Sequence, residues 1–86
     1  MSARVKLPEP LDRLLRSELK IAIEEAALHR DDDIIARRYI IEKMPQADIA
    51  AELGWDRSTV SHHLSYIMDE VKRSASRIAQ KEGVGN

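Results

Sequence analysis

The sequence predicts an all-α fold, and three observations lead to it. Apolar residues recur at spacings of three and four over most of the chain, the period of a helical face. Only three glycines and three prolines interrupt the 86 residues. Two tyrosines and one tryptophan are the whole aromatic content, which leaves little of the material that sheets favour. At this length one small domain with one core is expected. No cysteine is present, so disulfides and thiolate metal sites are unavailable and the fold must hold by packing.

Residues 1–10 carry Pro8 and Pro10 together with Arg4 and Lys6, and read as a flexible N-terminal arm. A single helical domain is expected over 11–80. From Leu11 to Arg30 there is neither Gly nor Pro; Leu15, Leu19, Ala22 and Ala26 share one face, and Leu7, Leu14, Ile21 and Leu28 add a second line at intervals of seven. The stretch predicts one helix with a broad apolar face. Asp31, Asp32 and Asp33 offer carboxylate caps for the next helix, where the dipole also favours negative charge. Ile34, Ile35, Tyr39, Ile40, Ile41 and Met44 make that helix apolar around much of its circumference, and Pro45 is expected to end it. Gln46 to Leu53 predicts a short helix stopped by Gly54. Asp56 is placed to cap the last and longest helix, in which Val60, Leu64, Ile67, Val71, Ala75 and Ile78 share one seam. Residues 81–86, with Gly83 and Gly85, read as a flexible tail.

The most restrictive spacing lies between Gln46 and Ser65. Ala50 is small where two helices must cross closely, Gly54 follows where a positive φ is needed, and Val60 sits where the second helix must bury an apolar anchor. Ile49, Leu53, Trp55 and Leu64 flank them, with Trp55 expected on the core. This is what a helix-turn-helix requires to hold its second helix proud of the surface, so the motif is assigned to 46–65. The expected architecture is a trihelical helix-turn-helix core with an additional N-terminal helix and a long C-terminal recognition helix.

The segment from Ala36 to Lys72 resembles the helix-turn-helix of sigma-factor region four and of LuxR-type regulators. The resemblance is carried by Asp48-Ile49-Ala50, by Glu52-Leu53-Gly54 and by the run Arg57-Ser58-Thr59-Val60-Ser61-His62-His63-Leu64. It implies sequence-specific binding of double-stranded DNA through the helix that begins near Arg57, as in a small transcriptional regulator. That helix carries fewer Lys and Arg than its counterparts usually do. The upstream domains of a sigma factor do not occur within these residues, so a full sigma factor is not expected.

Helical geometry gives the same face without the resemblance. With Val60, Leu64 and Ile67 inward, Ser58, His62 and Ser65 point outward, flanked by Ser61 and Tyr66. Serine hydroxyls and a histidine ring can donate or accept at base edges, and Arg57 in the first turn can meet guanine bidentately or clamp a phosphate. Thr59 and the amide end of the short helix at Gln46 are candidate phosphate contacts. The candidate DNA-binding residues are therefore Arg57, Ser58, Thr59, Ser61, His62, Ser65 and Gln46. His63, at the edge of the seam, is expected to pack and hydrogen-bond within the protein.

Charge and spacing limit the other readings. Fourteen basic residues face fifteen acidic ones, a net charge of -1, so a surface for nucleic acid must be local. Residues 31–54 hold six acids against three bases, whereas both flanks carry a small positive excess. Arg4 with Lys6, Arg37 with Arg38, and Lys72 with Arg73 are the candidates for a basic rim. Adjacent histidines at 62 and 63 diverge by about 100° on a helix, and three consecutive aspartates also diverge, so no metal site or cofactor is expected. A core this small leaves little concavity for catalysis, and no enzyme is expected. No apolar run exceeds four residues, so a membrane span is excluded and a cytoplasmic location is expected. The seam from Val71 to Ile78 needs a partner, either the first helix or a second copy of the chain, and a dimer would set two reading helices on successive grooves. The alternative function is a protein-interaction module of the same shape that docks on RNA polymerase or another regulator through its acidic middle segment.

Overall fold

A computed structural model describes residues 5–84, with side chains placed through Ile78. Its elements are a short 3-10 turn at Leu11–Arg13, α1 (Arg16–Ala26), α2 (Arg30–Ala36) running into a π-type turn at Arg37–Ile41, α3 (Gln46–Leu53) and α4 (Arg57–Val84). The chain is all-helical among the described residues, as its periodicity predicts. All of the first three helices pack against α4. At 1.5 Å per residue its 28 residues reach about 42 Å, close to the 46 Å long axis of the molecule.

The core is assembled around the α4 seam. Val60, Leu64, Ile67, Val71 and Ala75 are buried, and Ile78 is half-buried against them. Leu19, Ala22 and Ile23 of α1, Ile35 and Ala36 of α2, Ile40 of the π-type turn, and Ile49 and Ala50 of α3 fill the space opposite. The seam beyond Val71 therefore finds its partner within the monomer: α1 covers it, and fully buried Ser74 hydrogen-bonds through its hydroxyl to the Ala22 carbonyl. The need for a second copy to cover this seam falls away.

Four local expectations are corrected. First, the stretch from Leu11 to Arg30 is not one helix. It breaks at Leu14 and Leu15, and α1 ends at Ala27, which takes a left-handed conformation (φ 51°). Leu15 precedes α1, 67% exposed, and its amide donates to Glu18 Oε1 at 2.8 Å; Ile21 is also largely exposed. Second, none of the three aspartates caps α2. His29 holds the cap position without a side-chain bond, and the aspartates fill the first turn, where the dipole favours them. Third, Pro45 does not stop the preceding helix. That segment widens into the π-type turn, with the Glu42 amide donating to the Arg37 carbonyl, and Lys43 (φ 58°) then reverses the chain, so that Pro45 leads directly into α3. Fourth, α4 continues through Val84, into the stretch expected to be tail; Gly85 and Asn86 lie outside the described residues.

Candidate nucleic-acid interface

The turn between α3 and α4 is closed by the backbone. The Trp55 amide donates to the Ala50 carbonyl at 2.9 Å and the Gly54 amide to Ala51, the paired bonds of a Schellman ending. Gly54 supplies the required left-handed residue (φ 71°). The Asp56 carbonyl then receives the amides of Thr59 and Val60, which starts α4. Buried Ala50 lets α3 cross α4 closely, and Val60 anchors the first turn of α4 at 0% exposure.

This crossing fixes the rotation of α4. Arg57, Ser58, Ser61, His62 and Ser65 are all exposed, Tyr66 beside them is 53% exposed, and Thr59 is half-buried at the flank. The Ser65 hydroxyl sits 3.5 Å from the Ser61 carbonyl, too long to hold it, so its donor remains available to a ligand. The described part of the N-terminal segment, from Val5, does not cover this row. Gln46 opens α3, half-buried, and the amides of Gln46 and Ala47 have no main-chain acceptor among the described residues.

His63 faces the other way. Its Nδ1 lies 2.6 Å from Asp32 Oδ1, and its ring packs at a tilt against Trp55 with centroids 4.9 Å apart. Trp55 is half-buried and packs on the core, as its position in the turn predicts. Asp32 was not legible as a partner, because its interest comes only from α2 crossing the first turns of α4. The nearest signal in the sequence was an acid-rich turn and an inward-tending histidine without an assigned bond.

The basic rim is smaller than the sequence suggests. Arg37 donates to Asp33 at 2.9 Å, Arg38 bonds both Glu42 (2.7 Å) and Glu52 (3.0 Å), and Arg73 bonds Glu70 at 2.7 Å. The hydrogen bond from Asp33 raises the pKa of Arg37, and those from Glu52 and Glu42 raise that of Arg38, so both guanidiniums are committed to neighbouring carboxylates. Lys6, Arg57 and Lys72 have no such partner among the described residues. Arg4 lies outside them.

Among the described residues no group of three or more acidic or histidine side chains is placed to hold a metal ion. Nor is any helix there long and apolar enough to cross a membrane. Residues 29–73, from the residue before α2 to Arg73 in the second half of α4, match the family model described as Sigma-70, region 4. No curated protein and no solved structure matches the chain.

Proposed function

The chain belongs to the sigma-70 region 4 family, whose helix-turn-helix binds DNA, and from that premise we propose that it is a small transcriptional regulator. It reads double-stranded DNA sequence-specifically by inserting the first turns of α4 into the major groove. One observation carries the reading: Ser58, His62 and Ser65 stand exposed on the side of α4 opposite the buried Val60, Leu64 and Ile67, with exposed Ser61 on the flank and exposed Arg57 in the first turn. A row of donors and acceptors on a helix held away from the body is the geometry that base-edge readout needs. Gln46 and Thr59 flank the row, where phosphate contacts would set the register.

The competing reading, docking on polymerase or another regulator through the acidic segment, has less to rest on. Of the six acids in 31–54, Asp32, Asp33, Glu42 and Glu52 are already engaged by His63, Arg37 and Arg38. Asp31 and Asp48 remain, too few to make an acidic docking surface.

Selection from randomised duplexes tests the proposal. Enrichment of a defined site by the full chain is the expected result, and a palindromic site would also reveal pairing of two copies on DNA. Binding that stays equal for all duplexes, or capture of polymerase without any DNA affinity, would overturn it.

A further inference from the structure

Two shallow grooves border the exposed row of α4, and the N-terminal arm walls both. The larger, about 500 Å³, is lined by Pro8, Tyr39, Gln46, Ser61, Asp69 and Lys72 among others. The smaller, about 340 Å³, runs between Val5 and Lys6 of the arm and the side formed by Tyr39, Gln46 and Arg57. Tyr39 and Gln46 line both, so the grooves are neighbours on one surface.

The arm is held there by its own side chains. Leu7 is half-buried against the core and Leu11 is completely buried, while Lys6, between half-buried Val5 and Leu7, is exposed. This alternation is what an extended strand of chain shows when one side rests on a surface. It turns the Lys6 ammonium outward beside the mouth of the smaller groove.

The electrostatics of that groove run against the chain as a whole. The net charge is -1, and the acids concentrate in the segment from which Tyr39 and Gln46 come. Yet among the described residues no carboxylate lines the smaller groove, and the charged residues lining it are Lys6 and Arg57, drawn from segments far apart in sequence and without ion pairs there. Two unneutralised cations lining one groove with no described acid beside them fit an anion, and the anion adjoining the exposed row is the backbone of the duplex that α4 enters.

We propose that the arm is a working part of the DNA interface: Lys6 grips the phosphate backbone beside the major groove entered by α4, at the edge of the row that Arg57 begins. The inference rests on the DNA-binding reading given above and adds to it a contact outside the helix-turn-helix. Because a phosphate carries no sequence information, Lys6 contributes affinity and register while base preference stays with the α4 row.

The test is an anisotropy titration of the full chain against a selected duplex and a scrambled one, at salt concentrations from about 0.05 to 0.4 M. Lys6→Ala is expected to reduce the steepness of the log-log salt dependence by about 0.9 and to weaken binding about eightfold at 0.1 M salt, equally for both duplexes. Lys6→Arg should retain both, and neither variant should shift the melting temperature. Unchanged affinity and slope in Lys6→Ala beside tight wild-type binding would overturn the arm's role alone. Tighter binding by Lys6→Ala would overturn it too, by showing that the arm obstructs the site. If the wild-type chain binds neither duplex at the lowest salt, the DNA reading fails and the arm's role fails with it.

Discussion

The Nδ1 of His63 lies 2.6 Å from the Oδ1 of Asp32, a contact that spans 31 residues and ties α2 to the second turn of α4. A carboxylate only accepts, so the imidazole N–H donates. The Asp32 side chain is 10% exposed and that of His63 40%, so the bond is partly shielded from water and leaves Asp32 dependent on it. Asp32→Ala and His63→Ala are each expected to cost about 1–2 kcal/mol in urea unfolding, with a coupling near 1 kcal/mol in the double-mutant cycle. Additive losses would show the two residues to be independent. His63→Ala should also expose Trp55, shifting its emission to longer wavelength.

Arg57 should behave differently from residues that only hold α4 in place. Arg57→Ala is expected to cost about 1–3 kcal/mol of DNA affinity and to relax the preference at one base position, while stability holds. A uniform loss over all sequences would make Arg57 a phosphate contact only.

The rotation of α4 can be checked by a matched pair of substitutions. Val60→Asp should unfold the domain, because it places an unpaired carboxylate at a position with 0% exposure. His62→Ala should leave stability within about 0.5 kcal/mol, as exposed positions usually do. Circular dichroism melts of both variants decide the point, and a large loss in the His62 variant would mean that the helix is turned otherwise.

Two of the left-handed positions, Gly54 and Lys43, make different predictions. A Cβ at Gly54 would meet nothing within 4 Å, so Gly54→Ala tests backbone strain alone and should cost about 1–2 kcal/mol. Lys43 adopts φ 58° with a side chain present, so Lys43→Gly should relieve a similar strain, offset by the entropy glycine adds to the unfolded chain. Its Nζ donates to the Ile40 carbonyl at 2.8 Å, which also offsets the gain. Unfolding free energies from denaturant titration should therefore fall clearly for the first variant and change by less than about 1 kcal/mol for the second.

What could be read from the sequence follows how local each cause is. The seam from Val60 to Ile78 and the turn at Gly54 are written in spacing and in one glycine, and both stand as expected. The break before α1 is not, because Leu14 and Leu15 are good helix formers and nothing near them demands an interruption. Ala27 hides the end of α1 for the same reason: alanine seldom takes a left-handed conformation. In the candidate site, the outward row on α4 follows from one helix's period. The pairing of Asp32 with His63 and the placing of Lys6 and Arg57 on the walls of one groove depend on how separate segments meet, and no spacing along the chain encodes that.

One helix is the spine of the fold and, in the proposed function, also the reading head, and its length makes it a lever. Ser74, fastened to Ala22, lies 17 residues from Arg57, about 26 Å along the axis. A tilt of only 5° about that fastening would carry the tip roughly 2 Å sideways, more than a bidentate contact with a base can tolerate. If α4 reads DNA as proposed, fidelity at the tip depends on the grip of α1 at the opposite end as well as on the anchors near Val60 and His63, and a substitution in that remote joint would blur target choice while the exposed row stays intact.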